Sequence, residues 1–284
     1  MAQILAGKPV ADAIVGRLVP RVETLKAEGV VPTLAIVRVG ERDDDLSYER
    51  SAMKRCADAG IRVQRHVLPA SCAQDELMAV IAQVNADSAV QGCLMFRPLP
   101  EHLDEQAACD ALDPAKDVDG ITQGSLFGVF AGQPVGFPPC TADACMQILR
   151  HYDVGLSGAN VVVVGRSLVI GKPVSMMLQA ANATVTMCHT RTRDLAAKCA
   201  EADVLVVAVG RARTVGAESV REGQVVIDVG INWDDAAGKF CGDVDFDAVE
   251  PLVGAITPVP GGVGSVTTAV LATHVVAAAE RAGS

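Results

Sequence analysis

The chain has 284 residues, half of them apolar, and a formal net charge of −10. That length suits one large domain or two ordinary ones, and the apolar share is enough for a substantial core. The acidic balance argues against a nucleic-acid or anionic-membrane partner, so an anionic ligand needs a local basic pocket.

Aromatic residues are few, while Ala, Val and Gly are abundant, which suits packed α/β layers. The nine cysteines are scattered without a C-x-x-C, and the five histidines form no H-E-x-x-H. These features predict buried, reduced thiols in a cytoplasmic protein and no metal site. The N-terminus lacks a signal-peptide core, and no apolar run is expected to span a bilayer.

Val10, Ile14, Leu18, Val22 and Leu25 set a helical period over 8–28, which Pro20 should kink or interrupt. PTLAIVRV (32–39) reads as a strand ending at Gly40. The polar ERDDDLS reads as a turn, and a helix over 47–59 stops at Gly60. A strand over 61–68 and a helix over 74–85 follow. VQGCLMF (90–96) is a buried strand closed by Arg97-Pro98-Leu99-Pro100. A helical segment then leads to a charged loop, 113–120, carrying Asp113, Asp117 and Asp119. Strand alternating with helix predicts a parallel sheet in this half. The linker is placed at 133–140, with Thr141 as N-cap of a helix over 142–152.

NVVVVGRSLVIGKP (160–173) is the most informative stretch. Four valines suit a strand buried on both faces. Gly165 stands at the turn, and Gly171-Lys172-Pro173 opens a helix. Strand, tight turn and helix start make a phosphate-binding geometry. Arg166 replaces the second glycine of G-x-G-x-x-G, and Pro173 replaces the Ser/Thr of a P-loop. Taken alone, the stretch is either a dinucleotide site or a plain buried turn.

Helices near 172–181 and 194–201 alternate with strands at 183–188, 204–209 and 225–229. Such a series is what a doubly wound nucleotide domain looks like. A stiff loop at 257–264 and an apolar helix over 266–282 end the chain. The fold class is therefore α/β with two domains. An N-terminal substrate domain covers 1–138, with the C-terminal helix, 266–284, packing back on it. A Rossmann-like nucleotide domain covers 139–265.

In such a domain an acid at the end of the second strand holds the ribose 2′-hydroxyl of NAD. Here that strand ends in His189-Thr190-Arg191-Thr192-Arg193, with no carboxylate before Asp194. Arg166 adds a third cation. A 2′-phosphate suits this set better, which favours NADP over NAD.

Together these motifs resemble the methylenetetrahydrofolate dehydrogenase/methenyltetrahydrofolate cyclohydrolase family along nearly the whole chain. The matching pieces are Gly7-Lys8-Pro9-Val10-Ala11, Tyr48 with Gly60-Ile61, Pro98-Leu99-Pro100, and Lys116-Asp117-Val118-Asp119-Gly120. They continue with Pro139-Cys140-Thr141, the turn from Gly165 to Pro173, Asp228-Val229-Gly230-Ile231-Asn232, Gly242-Asp243-Val244, and the loop 257–264. The resemblance implies a cleft between the domains that takes the folate, and a homodimer joined through the nucleotide domains. It implies NADP across Gly165, Arg166 and Ser167, with Thr190 near the 2′-phosphate and Ile231 near the nicotinamide; Arg191 is a further cofactor-binding candidate on the charge pattern of the strand end. Tyr48 would stack on the folate's ring system, Asp119 would hydrogen-bond the pterin, and Pro260, Gly261 and Gly264 would line the aminobenzoyl side. Tyr48 and Asp119 are the catalytic candidates.

The sequence departs from the family at instructive places. The family lysine four residues after the tyrosine is Ala52 here, and Lys54 lies two residues further on. The family glutamine two residues before Pro-Leu-Pro is Phe96. Asp45 replaces a serine, and Ser265-Val266 replace Pro-Met. Hydrolysis of a methenyl bridge needs managed protons, which the lysine and glutamine would supply. Hydride transfer needs mainly positioning. The expectation is an NADP-dependent dehydrogenase with weak or absent cyclohydrolase activity. Three alternatives stand beside it. One is full bifunctionality, with Arg50 or Arg55 substituting for the lysine. Another is a non-catalytic folate or nucleotide binder. The third is an unrelated Rossmann oxidoreductase, which would need a catalytic His, Tyr-Lys or Cys.

Overall fold

The computed structural model describes residues 1–283. In chain order the elements are β1 (Gln3–Ile4), α1 (Gly7–Ala27), β2 (Thr33–Val39), α2 (Asp43–Ala59), β3 (Arg62–Leu68), α3 (Gln74–Ala86), β4 (Gly92–Met95), α4 (Glu105–Ala111), α5 (Gln123–Ala131) and α6 (Cys140–His151). They continue as β5 (Asn160–Val164), α7 (Gly171–Ala180), β6 (Thr184–Cys188), α8 (Leu195–Ala200), β7 (Val204–Val207), β8 (Val225–Asp228), β9 (Asn232–Asp234), β10 (Lys239–Cys241), α9 (Phe246–Val249), β11 (Ala255–Ile256) and α10 (Thr267–Ala282).

The chain forms two compact units. One comprises Asp12–Cys140 and the C-terminal stretch from Thr268; the other comprises Met1–Ala11 and Thr141–Thr267. The first eleven residues thus depart from the expected 1–138 boundary. β1 pairs in parallel with β11, Gln3 beside Ala255, and the Gly7 N–H donates to the Gly261 carbonyl at 2.7 Å. A two-residue strand carries no alternation that a sequence pattern could reveal.

The Asp12–Cys140 unit holds a parallel sheet in the order β3-β2-β4. Every residue of the central β2 is buried, and Leu77, Ile81, Met95 and Leu112 pack around it. Helix α1 runs unbroken through Pro20. Proline removes the N–H that would reach the Gly16 carbonyl, but both residues lie on the exposed face, where water serves instead. Helix α2 begins four residues earlier than expected, because Asp43, Asp44 and Asp45 favour a helix N-terminus. Gly60, at φ 76°, closes it. Helix α5 was not legible; Thr122 caps it by accepting from the Ser125 N–H. Helix α6 begins at Cys140, so Thr141 lies in its first turn and is not its cap.

The other unit carries a six-stranded parallel sheet in the order β1-β11-β8-β7-β5-β6. The strands after residue 159 run 2-1-3-4-5, a doubly wound sheet that reverses direction between β5 and β7. The hairpin β9–β10 is additional, with Trp233 and Phe240 in edge contact on its exposed face.

One stretch corrects the expectation about apolar runs. Val263–Ala282, 20 residues at mean hydropathy 1.3, is long and apolar enough to cross a membrane. It is 72% buried in the protein, where Val270, Leu271, Val275 and Val276 serve the core.

Candidate functional site

The turn after β5 is shaped by two glycines. Gly165 has φ 145°, and a Cβ there would stand 2.4 Å from the Ala208 carbonyl oxygen. A Cβ on Gly171 would stand 2.3 Å from the Gly165 carbonyl oxygen. Only glycine lets this turn close over the strand ends. Ser167 holds the start of α7. Its Oγ accepts from the Ile170 N–H at 3.3 Å, and its carbonyl accepts from the Lys172 N–H at 3.0 Å.

A cavity of about 230 Å³ opens here, lined by Gly165, Arg166, Ser167, His189, Thr190, Leu195, Val209 and Thr214 among others. It lies at the C-terminal ends of β5, β6 and β7, at the reversal point where such sheets bind ligands. Among the described residues lining it none is acidic, and Arg166 and Thr190 meet there. A cradle that a Cβ would fill, one cation and hydroxyl groups fit a dinucleotide bearing a 2′-phosphate. Arg191 does not line the cavity. Its side chain is exposed, and its N–H donates to His189 Nδ1 at 3.1 Å.

Two buried carboxylates brace the loops behind this cavity. Asp243 accepts from the N–H groups of Val209, Gly210 and Arg211 at 2.6–2.9 Å, and from Asn232 Nδ2 at 2.9 Å. Asp228 accepts from the N–H groups of Gly230, Asp243 and Val244 at 2.9–3.0 Å. Burial pushes Asp228 up to about 7 against those three hydrogen bonds. The sequence motifs around both residues were legible, but their bracing role was not. Beyond them Ile231 is 61% exposed, and its Cδ1 lies 3.3 Å from where a Cβ on Gly264 would stand. Pro260 and Gly261 are exposed on the same loop, and the Gly262 carbonyl packs on Gly7.

The other unit holds Tyr48, Ala52, Phe96 and Asp119. The rings of Tyr48 and Phe96 meet edge to face, and Ala52 is fully buried. Lys54 is exposed and pairs with Asp58 at 2.9 Å. Arg50 is exposed, and Arg55 Nε lies 3.5 Å from Thr268 Oγ1. Glu49, next to Tyr48, is buried between Arg38 and Arg65. That ion cluster was not read from the sequence.

Asp119 sits in a loop strapped to β4. Cys93 bridges Asp117 in parallel, and its N–H donates to the Lys116 carbonyl at 2.7 Å. Asp117 is fully buried and accepts from the N–H groups of Ile121 and Thr122, so it is structural. Lys116 Nζ donates to the carbonyls of Val84 and Asp87, and burial lowers its pKa. Asp119 itself is half-buried, and the Cys140 side chain hydrogen-bonds it. Desolvation, aided by the charge of Asp117, pushes it up to about 6. As a carboxylate it can accept from paired N–H donors.

A doubly wound unit with a glycine turn at its reversal point, carried in one chain with a second parallel α/β unit, defines a two-domain dinucleotide-binding protein. More narrowly, the chain belongs to the tetrahydrofolate dehydrogenase/cyclohydrolase family. Residues 5–119 match its catalytic domain, and residues 139–283 match its NAD(P)-binding domain. It is 54% identical to the bifunctional protein FolD of Carboxydothermus hydrogenoformans, over 99% of this chain and 98% of that protein. It is 52% identical to the bifunctional protein FolD of Clostridioides difficile, over 97% and 96%. The bifunctional FolD of Campylobacter jejuni superposes with TM-score 0.96 at 36% identity, covering 99% of each chain. The Trypanosoma brucei enzyme, solved with NADP and an inhibitor, superposes with TM-score 0.92 at 34% identity, over 99% and 98%.

Proposed function

We propose that this chain oxidises 5,10-methylenetetrahydrofolate to 5,10-methenyltetrahydrofolate with NADP. The observation that carries the reading is the acid-free cavity where Arg166, Ser167 and Thr190 meet above the Gly165 turn. The nicotinamide of bound NADP supplies the hydride acceptor. Tyr48 stacks on the folate ring system and Asp119 accepts from the pterin. Pro260, Gly261 and Gly264 line the aminobenzoyl side. The contact between Ile231 and Gly264 supports this, since one is assigned to the cofactor and the other to the folate. The substrate's own nitrogen drives departure of the hydride, so these residues position and exclude water. NADPH formation from methylenetetrahydrofolate, compared with NAD at equal concentration, tests the reading; no turnover with either cofactor would leave only a binder.

Cyclohydrolase activity is weak or absent in our reading. Ala52 has no proton to give, Phe96 cannot hold one, and Lys54, Arg50 and Arg55 are directed elsewhere or permanently charged. Relatives at 54% and 52% identity that are described as bifunctional favour the opposite reading, full bifunctionality. Decay of methenyltetrahydrofolate without NADP, measured against the uncatalysed rate, decides between them. We further propose a homodimer formed through the nucleotide-binding unit, for which light scattering is the check. A cytoplasmic setting suits nine cysteines of which none is in a disulfide.

A further inference from the structure

The unit that carries Asp119 holds a second cavity, of about 630 Å³, which the proposed function does not use. Val90 and Gln91 on its wall lead into β4, so it lies at the N-terminal end of that strand. Phe96, which meets Tyr48, follows the other end. The walls are largely apolar, with Val90, Pro114, Val135 and Ala278 among them, and two cations, Lys116 and Arg281, interrupt that lining. Lys116 Nζ donates to the Val84 and Asp87 carbonyls at 2.7 and 2.6 Å, and Arg281 Nη1 donates to the Gly136 carbonyl at 3.1 Å. These acceptors are neutral, and both side chains keep further N–H donors. Among the described residues lining the cavity the acid is Asp113, one of whose oxygens accepts from the Ala115 N–H at 2.8 Å. The wall is thus net positive in a chain of net charge −10.

Two routes join this cavity to Asp119. The first is the chain itself. Residues 113–116 line the cavity, Asp117 bridges Cys93 in parallel, and the same strap carries Asp119 towards the C-terminal end of β4. The second is a stack of side chains. The Arg281 guanidinium carbon lies 4.3 Å from the Phe137 ring centroid, and that ring stacks on His274 at 5.0 Å with the planes at 28°. His274 Nδ1 in turn engages the Val118 carbonyl at 2.9 Å, next to Asp119.

We propose that this cavity binds a small anion carrying an apolar ring, and that the bound anion seats the 113–119 strap and so tightens folate binding. The volume falls in the range of small-molecule sites, which pair apolar walls with a few placed polar groups. The ring packs on the apolar walls, and the phosphate or carboxylate takes charge-assisted hydrogen bonds from Lys116 and Arg281. Burial lowers the Lys116 pKa, and an anion beside the ammonium offsets that cost. One cation belongs to the strap and the other to α10. The anion therefore meets both only while the strap is seated, and that difference in contacts is what shifts the strap's equilibrium. The effect on folate rests on the assignment of Asp119 to the pterin; binding of the anion does not.

The test titrates phenyl phosphate and benzoate by calorimetry at saturating NADP, which fills the phosphate site proposed for the other unit. At least one probe is expected to bind with a Kd below about 1 mM, which also shows which head group the site prefers. Phenol and inorganic phosphate, each lacking half of the match, bind at least about tenfold more weakly. Arg281→Met weakens the probe by about tenfold. Ala282→Trp, which puts a bulky ring into the cavity from the end of α10, abolishes binding. Neither variant changes KM for methylenetetrahydrofolate in the absence of probe. In the parent, bound probe lowers that KM by about fivefold, and tetrahydrofolate tightens the probe by about the same factor. Failure of both probes to bind overturns the inference. So does binding that both variants leave intact, or inorganic phosphate binding as tightly as phenyl phosphate. Binding with KM unchanged and no mutual tightening overturns it as well. If no NADPH is formed while probe and tetrahydrofolate still tighten each other, the proposed function fails and the effector site stands.

Discussion

Tyr48 and Phe96 meet edge to face, their ring centroids 5.9 Å apart and their planes at 81°. One helical turn beyond Tyr48, Ala52 is fully buried. The family resemblance puts a lysine and its glutamine partner at the positions of Ala52 and Phe96. Here those positions are apolar and dry, beside the ring proposed to stack on the folate. In the reading proposed above, positioning survives such a change and proton management does not.

Restoring the pair should therefore restore hydrolysis. The double variant Ala52→Lys/Phe96→Gln is expected to raise NADP-independent decay of methenyltetrahydrofolate at least about tenfold, within the range usual for one general acid–base group. Ala52→Lys alone buries an ammonium without its partner and is expected to lower stability with little gain in rate. Equal decay rates in parent and double variant would show that these two positions do not control the activity.

The residue after Tyr48 bears on the same helix. Glu49 is 3% exposed and accepts from Arg38 Nε at 2.7 Å, with Arg65 on its other oxygen. Breaking a buried pair by removing one partner leaves a buried charge and costs about 3–5 kcal/mol. Glu49→Ala is expected to lose that much in denaturant unfolding. Arg38→Met/Glu49→Met is expected to recover most of it, since a hydrophobic replacement of the whole pair can be neutral. A loss in Glu49→Ala below about 1 kcal/mol would mean the pair is solvated like a surface bridge.

How much of this was readable in advance follows from the range of the interactions. The valines of β5, the αL glycine at 60 and the turn at Gly165 are local signals, and the structure places them as read. Sheet order is not local: the 2-1-3-4-5 arrangement depends on contacts tens of residues apart, and the pairing of β1 with β11 on contacts more than two hundred apart. Helix α5 escaped because Phe127 and Phe130 are exposed, so its apolar residues mark no buried stripe. The strapping of the Asp119 loop to β4 runs through a single bridge, Cys93 to Asp117, and no spacing encodes it. The same holds for Asp243, whose motif was visible while its four donors were not.

Those four donors make Asp243 sensitive to a conservative change. Asparagine keeps the volume but replaces one acceptor oxygen with an NH₂ group. In Asp243→Asn either the Val209 and Gly210 N–H groups or Arg211 and Asn232 then face another donor. A buried donor left unsatisfied costs about 1–3 kcal/mol. Each kilocalorie lowers Tm by about 2–4 °C in a protein of this size. Because Val209 lines the cavity, KM for NADP is expected to rise more than KM for folate. A melting curve and the two KM values check this; an unchanged Tm would show that the loop tolerates the amide by turning outward.

Cofactor choice gives the sharpest contrast between neighbouring cations. Arg166 lines the cavity together with Thr190, while Arg191 projects to solvent outside it. A hydrogen bond to a charged group is worth about 1.5–3 kcal/mol, roughly ten- to a hundredfold in binding. Arg166→Ala is expected to raise KM for NADP by that factor while leaving KM for NAD nearly unchanged, because NAD lacks the 2′-phosphate. The NADP effect should shrink at high salt, as screening weakens the guanidinium's pull on the phosphate. Arg191→Ala, on an exposed side chain, is expected to change KM for NADP by less than about twofold at moderate salt. If the two variants lose equally, the 2′-phosphate lies further out along the His189–Thr192 turn than the cavity implies. If neither discriminates between NADP and NAD, the cations of this turn are a solvated face and another group must read the ribose.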